Sequence, residues 1–357
     1  MNTPPGGAAG RFLIGIDIGG TTIKLGRLRA GARDLEGFRS LPTGAARPHL
    51  EVLHEVAEAV RELTLAGRDG ASTDGASTDA SSVAVSTACT PVGIGVGIPA
   101  TLSRDGRVEV LPNFAPGWRG VAVAEWLGEA CGFPAVVVND ARAFTLAEAR
   151  VGAAAGAGSA FGVTLGTGVG GGLVVDGQLY LGASGNAGEF GHQVHDPYGP
   201  RCGCGSHGCI ETYASAPALV ASVMRPFVQG VVPTLVRLAH GRLESVTPAL
   251  IAQAAEAGDA ICSEALERVA FVLGVGLANV ATLVSVERIV IGGGMAGLGE
   301  ALLGPMRRTM AAYATTAGAV LPPLVPAALG NRAGALGAAL NAADRLGYSS
   351  WTDPSAP

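Results

Sequence analysis

One short pattern occurs twice in this chain, and it constrains the fold more than any other feature. Residues 11–29 read as an apolar strand, a Gly-Gly-Thr-Thr tip and a second strand with alternating apolar residues. Residues 160–175 again read as strand, glycine-rich tip and strand, and Asp176-Gly177 predicts a tight turn into a third strand. Two halves that begin alike predict an α/β protein of two related lobes facing a cleft.

The remaining segments supply further elements of such a fold. Apolar spacing and apolar runs predict helices over 48–65 and 141–150, and strands over 92–100, 135–138 and 287–291. The apolar run Val269–Val284 is shorter than the about 20 residues that cross a bilayer and contains Asn279, so it is predicted to be a buried helix. A Gly/Ser/Thr/Asp segment at 67–82, with the direct repeat GASTD, predicts a solvated loop.

Composition excludes several classes of partner. The chain has 357 residues, 48% of them hydrophobic, which is enough for two domains with large cores. Its formal net charge is -5 and it has no basic stripe, so nucleic acids are not expected partners. The first ten residues contain no apolar core of a signal peptide, and we expect a cytoplasmic protein without a membrane partner.

Three glycine-rich segments are candidate phosphate cradles, because glycine lets backbone N–H groups approach a phosphate closely. The candidate positions are Gly19, Gly20, Thr21, Thr22, Gly166, Thr167, Gly168, Gly293 and Gly294. No Walker motif is present. Two G-x-G-x-x-G matches, at Gly166/168/171 and Gly292/294/297, lack the context of a dinucleotide site. Any one loop alone is equally well a tight turn, whereas three together favour nucleotide binding.

Two aspartates stand at predicted strand ends. Asp17 precedes the first tip, where it could hold Mg²⁺ or its water shell, and Lys24 is either a charge partner or an exposed strand residue. Asp140 follows a short apolar strand and precedes a helix. Position alone favours Asp140 as the helix N-cap, and the surrounding motifs favour a general base at a strand's carboxyl end.

Half of the cysteines are clustered. Cys202, Cys204 and Cys209 lie within eight residues, whereas Cys89, Cys131 and Cys262 stand alone and are predicted core residues. Three thiolates need a fourth ligand for tetrahedral zinc, and the candidates are His192, favoured, with His195 and His207 as competitors. Such a site would be structural. It would fix the flanking Glu189 and Glu211 to accept hydrogen bonds from a polyol, although each glutamate alone also reads as a surface charge.

Taken together, these segments resemble the ROK family (repressors, open reading frames and kinases) of bacterial glucokinases, N-acetylhexosamine kinases and sugar-responsive repressors. The resemblance covers nearly the whole chain. The segments that carry it are Asp17-Ile-Gly-Gly-Thr-Thr22, Leu111-Pro-Asn113, Val138-Asn-Asp140, Leu165-Gly-Thr-Gly-Val-Gly-Gly-Gly172, Gly188-Glu-Phe-Gly-His192, Cys202-x-Cys-Gly-x-x-Gly-Cys209-x-Glu211 and Ile291-Gly-Gly-Gly294.

The resemblance implies an actin-like ATPase (ribonuclease H-like) fold of two lobes around a cleft. We predict an N-terminal lobe over 11–134, a C-terminal lobe with the zinc loop over 135–332, and a helix over 333–347 that packs back on the first lobe. Residues 1–10 and 348–357 are predicted flexible ends. A homodimer or homotetramer is also implied.

The implied activity is an ATP-dependent hexose kinase, with glucokinase first, in which Asp140 is the base that activates the sugar 6-hydroxyl. The Asp17 loop, including Lys24, and the Gly166 loop would grip the ATP phosphates with Mg²⁺, and Gly293 and Gly294 would lie near adenosine. The implied sugar-lining residues are Asn113, Asn139, Asp140, Glu189, His192 and Glu211. The implied ligands of a structural Zn²⁺ are His192, Cys202, Cys204 and Cys209.

Alternatives and departures accompany this interpretation. The catalytic motif reads Asn139-Asp-Ala-Arg142-Ala143 where the family often has Asn-Asp-Ala-Asn-Ala, and residues 67–82 resemble an insertion. The substrate could instead be N-acetylmannosamine or N-acetylglucosamine, and polyphosphate could replace ATP. A sugar-sensing regulator is the other class, but only about ten residues precede the first strand, too few for a winged helix.

Overall fold

The computed structural model describes residues 10–66, 90–314, 320–348 and 351. The predicted solvated loop at 67–82 and Cys89 lie outside these residues, as do nearly all of the predicted flexible ends. The chain forms two compact units, the first comprising Met1–Ala147 and Asn331–Pro357 and the second Glu148–Gly330.

The first unit contains a five-stranded mixed sheet. Its strands are β1 (Arg11–Ile18), β2 (Thr22–Arg29), β3 (Glu36–Pro42), β4 (Thr90–Ile98) and β7 (Ala135–Asn139), with a separate small hairpin of β5 (Thr101–Leu102) and β6 (Val108–Val110). The sheet order is β3-β2-β1-β4-β7, in which β2 runs antiparallel to both neighbours and β1, β4 and β7 are parallel. Its helices are α1 (His49–Ala66), α2 (Val123–Cys131), α10 (Ala333–Arg345) and the start of α3 (Asp140–Arg150).

The boundary between the units falls later than the predicted 134/135. Strand β7 pairs in parallel with β4, from Ile94 opposite Ala135 to Ile98 opposite Asn139. Those ladder hydrogen bonds attach β7 to the first sheet, and the first unit continues to Ala147 in α3. A local pattern predicts the strand but not its partner, and the observed division after Ala147 differs from the predicted boundary for this reason.

Helix α10 packs against the first sheet at unusually short range. A Cβ atom added to Gly15 of β1 would collide with the Ala335 carbonyl, and one added to Gly95 of β4 would collide with the Ala338 carbonyl. Both strand positions therefore require glycine. The close approach brings the first turn of α10 beside the end of β1, where Asp17 lies.

The second unit repeats the arrangement of the first sheet. Its strands are β8 (Ser159–Leu165), β9 (Val169–Val175), β10 (Gln178–Leu179), β11 (Arg288–Gly292) and β12 (Leu324–Pro326), in the order β10-β9-β8-β11-β12. An antiparallel set β10-β9-β8 is followed by parallel β11 and β12, as β3-β2-β1 is followed by β4 and β7. The α/β class and the predicted internal repeat are confirmed.

Helices complete the second unit. They are α4 (Glu211–Ala214), α5 (Ala216–Val228), α6 (Pro233–Leu238), α7 (Pro248–Glu256), α8 (Ala260–Val284) and α9 (Glu300–Tyr313). Helix α8 has 25 residues and, by length and composition alone, could span a membrane; half of its most apolar window is buried inside the protein. Leu273 and Leu277 of α8 are fully buried in the core of this unit, as a buried helix requires.

Trp351 contacts the first unit near the C-terminus. Trp351 lies in the predicted flexible end, yet its side chain is only 6% exposed. The indole Nε1 donates to the Leu28 carbonyl at 3.3 Å, and the Trp351 carbonyl accepts the Gly31 N–H at 2.7 Å. A large aromatic side chain near the end of the chain is a signal that could have indicated this contact.

Candidate functional site

The tip between β1 and β2 is held in shape by hydrogen bonds within the first unit. Gly19 N–H donates to the Thr22 carbonyl at 3.0 Å, which closes the turn. The fully buried Thr43 donates its hydroxyl to the Gly19 carbonyl at 2.6 Å, and its N–H to the Thr21 carbonyl at 2.9 Å. Thr43 is a residue that sequence analysis missed, because nothing local links it to the tip.

Asp17, the residue before the last of β1, is a buried carboxylate. Lys24 lies opposite it in the ladder, with Nζ 3.3 Å from Asp17 Oδ2, so Lys24 is a charge partner. A Cβ atom added to Gly334, in the first turn of α10, would lie 2.6 Å from the same oxygen. Burial raises the pKa of the Asp17 carboxyl, and the Lys24 ammonium partly offsets this effect.

Replacing Asp17 with Asn is expected to stabilise the protein at pH 7. Because burial raises the folded-state pKa above the ordinary 3.8, ionising Asp17 costs more in the folded than in the unfolded chain. Stability is therefore lost as the pH rises from 3.8 through the raised folded pKa, and Asn avoids this loss. Thermal melts from pH 3 to pH 8 should show a higher Tm for the variant at pH 7, by about 2 to 4 °C per kcal/mol of penalty removed. A lower Tm of the variant at pH 7 would contradict the raised pKa of Asp17.

Asp140 is the first residue of α3, at the carboxyl end of β7. Asn139 supplies the N-cap of this helix, because its Oδ1 accepts the N–H groups of Ala141 at 3.1 Å and Arg142 at 3.2 Å. Asn139 Nδ2 donates to the Ala100 carbonyl at 3.3 Å. Asp140 Oδ1 also accepts the Ala141 N–H at 2.8 Å. The helix therefore does not depend on Asp140 for its cap, since Asn139 already performs that role.

The remaining first-unit candidates lie in distinct local conformations. Arg142, which departs from the family motif, is buried, and its N–H takes part in the Asn139 cap, so the helix start is intact. Asn113 lies in the loop after β6 with φ of 65°, a left-handed conformation that Asn tolerates better than most residues.

In the second unit, the Gly166–Gly168 loop connects β8 to β9. Gly166 N–H donates to the Gly168 carbonyl at 2.9 Å, and a Cβ atom on Gly166 would meet nothing within 4 Å. Gly293, with φ of 82°, follows β11, and a Cβ atom there would collide with the Leu165 backbone. Because β8 and β11 are parallel, the two predicted nucleotide segments meet at one edge of the sheet.

A different reason explains the glycines further along β9. A Cβ atom on Gly171 would lie 2.5 Å from the Gly188 carbonyl oxygen, and one on Gly191 would collide with the Val169 carbonyl. These glycines let the segment that carries Glu189 and the short 3-10 helix Phe190–His192 lie directly on β9. Gly171 is therefore a packing position within the G-x-G-x-x-G match.

Four side chains of the second unit form a possible metal site. The ligand atoms of His192, Cys202, Cys204 and Cys209 all lie within 4.8 Å of one another. Cys204 Sγ is 3.7 Å from Cys209 Sγ, and Cys202 Sγ is 3.7 Å from His192 Nδ1. Tetrahedral zinc with bonds of about 2.3 Å to sulfur and about 2.0 Å to nitrogen separates such atoms by about 3.8 and 3.5 Å, so the donor set fits.

The competing histidines have other surroundings. The His195 ring contacts the rings of Tyr213 and Phe271, with centroids 5.5 and 6.3 Å away. His207 lies in a bridge to Arg201. Among the described residues, it is His192 whose ligand atom lies close enough to the three cysteines to complete a candidate metal site.

Glu211 follows the cysteine cluster and begins α4. Its Oε2 accepts the Val169 N–H at 2.9 Å, and its Oε1 lies 4.0 Å from Cys202 Sγ. A predicted sugar residue thus contacts the end of a predicted phosphate loop. Sequence analysis missed this contact, since the two residues are 42 positions apart.

Comparison with known proteins agrees with this arrangement. The sequence profile of the ROK family matches residues 82–345. The chain is 33% identical over 332 residues to a glucokinase of Halalkalibacterium halodurans, covering 92% of this chain and 93% of that protein.

Two solved structures are similar over nearly their full lengths. A ROK family glucokinase from Streptomyces griseus, in complex with glucose and AMPPNP, has a TM-score of 0.76 and 29% identity, covering 93% of this chain and 99% of that one. A ROK hexokinase from Thermus thermophilus has a TM-score of 0.73 and 31% identity, covering 94% and 99%. The predicted actin-like ATPase fold is confirmed by these similarities, and the chain belongs to the ROK family.

Proposed function

We propose that the protein is an ATP-dependent hexose kinase, with glucose as first substrate and the 6-hydroxyl as acceptor. The observation that carries the proposal is the placement of Asp140 at the carboxyl end of β7, in a helix start that Asn139 caps. Similarity to two glucokinases, over 93% and 98% of their lengths, supports glucose as the first choice.

In this proposal Asp140 is the general base. Its carboxylate accepts the proton of the 6-hydroxyl while that oxygen forms a bond to the γ-phosphorus of ATP, and the bond from phosphorus to the ADP oxygen breaks. The Asp17 tip and the Gly166–Gly168 loop bind the phosphates through backbone N–H groups, with Lys24 beside Asp17. Mg²⁺ bound with ATP would neutralise phosphate charge, and Asp17 is the carboxylate that would hold it or its water shell.

The sugar would be recognised by polar side chains. Glu189 and Glu211 accept hydrogen bonds from sugar hydroxyls, while Asn113 and His192 add further polar contacts. Asn139 acts mainly by shaping the start of α3, because both ends of its side-chain amide are bonded within the protein. Zinc would be held by His192, Cys202, Cys204 and Cys209 and would be structural, because four protein ligands leave no position for a catalytic water.

The proposal is tested by an ADP-release assay with Mg²⁺-ATP across glucose, mannose, N-acetylmannosamine and N-acetylglucosamine. We expect the highest kcat/KM with glucose. A higher value with an N-acetylated sugar would move the assignment to that kinase within the same mechanism. Binding of a hexose without ADP release from ATP would contradict the proposal; parallel reactions with polyphosphate then separate a different phosphoryl donor from a sugar-sensing regulator.

A further inference from the structure

Both ends of the Gly166–Gly168 loop are bonded to one short segment, residues 211–216. The Gly166 carbonyl accepts the Ala216 N–H at 2.8 Å, at the start of α5. At the other end, the Val169 N–H donates to Glu211 Oε2 at 2.9 Å. The position of this loop is therefore set by residues far away in the sequence, of which Glu211 is the one that acts through its side chain.

The Glu211 carboxylate lies directly against the loop. A Cβ atom added to Gly168 would be 2.6 Å from Glu211 Oε2, so the loop can rest on this oxygen only because residue 168 is glycine. A carboxylate that accepts a backbone N–H makes one of the stronger kinds of protein hydrogen bond. Losing it would leave the end of the loop without its acceptor.

The other side of Glu211 faces the cysteine cluster. Glu211 Oε1 is 4.0 Å from Cys202 Sγ, which is in turn 3.7 Å from His192 Nδ1. The N–H of the preceding residue, Ile210, donates to the Gln193 carbonyl at 2.9 Å, and the Ile210 side chain is buried. Glu211 is thus fixed in place by the same segments that form the candidate metal site.

We propose that Glu211 is a positioning residue for the nucleotide as well as a sugar residue: by accepting the Val169 N–H it holds the Gly166–Gly168 loop in the form that binds phosphate. This inference rests on the proposed function, in which that loop grips ATP. It deepens that function because it joins the cysteine cluster to the nucleotide side of the reaction. Removing the acceptor weakens nucleotide binding even when no sugar is present.

The test is calorimetric titration of Mg²⁺-AMPPNP into zinc-containing protein without sugar, with zinc content checked for each variant. Glu211→Ala should raise the Kd of AMPPNP about tenfold or more. Glu211→Gln should stay within about threefold of the unaltered protein, because its amide oxygen still accepts the Val169 N–H. The matched control is Glu287→Ala, which should leave the Kd of AMPPNP unchanged. Glu287 Oε2 accepts the Gly158 N–H at 3.1 Å, a backbone contact outside both the loop and residues 211–216.

A second variant and a second measurement guard against loss of the metal site. Glu211→Met keeps the length of the side chain but removes the strong hydrogen-bond acceptor. It should weaken AMPPNP binding as much as Glu211→Ala does. Hydrogen exchange at residues 165–169 should be faster in both variants, with zinc retained. Unchanged AMPPNP affinity in Glu211→Ala and Glu211→Met would overturn this inference and leave the proposed function standing. A loss of AMPPNP affinity in Glu211→Gln equal to that in Glu211→Ala would do the same. Failure of the unaltered protein to bind AMPPNP would instead overturn the proposed function, and this inference with it.

Discussion

Replacing Asp140 with Asn is expected to lower kcat for glucose phosphorylation by about 10² to 10⁴-fold while glucose still binds. Asn has nearly the shape of Asp but cannot accept the proton of the 6-hydroxyl. The helix start should survive, because Asn139 Oδ1 provides the cap. The measurement pairs initial rates of ADP release with glucose titration by calorimetry.

The matched control is Asp176→Asn. Asp176 is exposed in the turn between β9 and β10, with φ of 50°, a conformation in which Asn is well tolerated. This control should keep its activity within about twofold, since exposed substitutions away from a site have small effects. Full activity of Asp140→Asn would remove the general base from the account.

The second large effect concerns the cysteine cluster. We expect about one zinc per chain by elemental analysis, and Cys204→Ser should lose nearly all of it. Changing a residue that only supports a metal ligand lowers metal affinity about 10 to 100-fold, and replacing the ligand itself should lower it further. Glucose affinity should fall with the metal, since Cys202 lies next to both His192 and Glu211. Calorimetric titration of glucose into the metal-containing and metal-free forms measures how far glucose affinity depends on the metal.

Cys131→Ser is the control for this experiment. Cys131 is a half-buried cysteine at the end of α2 in the first unit, so its replacement should leave zinc content and glucose affinity unchanged. An active enzyme purified without metal would contradict the structural role of zinc. A Cys204→Ser variant that retains one zinc per chain would contradict the assignment of Cys204 as a ligand.

Local patterns in the sequence predicted much of the fold. The two strand-tip-strand units at 11–29 and 160–175 became β1-β2 and β8-β9, because alternation and tip glycines act between neighbours in sequence. The boundary near residue 147 depends instead on the pairing of β7 with β4, which no local pattern shows. Local patterns therefore predict the elements, whereas the position of the boundary between the units depends on strand pairing.

Buried polar contacts also lay beyond sequence analysis. Glu148 reads as an exposed helix residue, yet it is fully buried and its carboxylate accepts backbone N–H groups of Ala153, Ala328 and Leu329. Two of these partners come from a segment about 180 positions later. Such a carboxylate is stable inside only because several donors surround it, and those donors belong to the tertiary structure.

Glycine was the most ambiguous residue type in the candidate site. Gly166 and Gly294 have open space where a side chain would be, which is compatible with the predicted nucleotide binding. Gly171 and Gly191 have backbone in that space, and serve close packing instead. Both uses need the absence of a Cβ atom, so a sequence motif cannot separate them. The metal cluster was easier, because three of its four residues are close in the chain.

The central claim is that this protein transfers the terminal phosphate of ATP to the 6-hydroxyl of a hexose. It is tested most directly by ³¹P NMR of a reaction containing the protein, Mg²⁺-ATP and glucose. The account predicts a new phosphomonoester signal, coupled to the carbon-six protons of glucose, that grows in step with ADP and is nearly absent with Asp140→Asn. Loss of ATP only as free inorganic phosphate, or no new ester with any hexose tested, would contradict it.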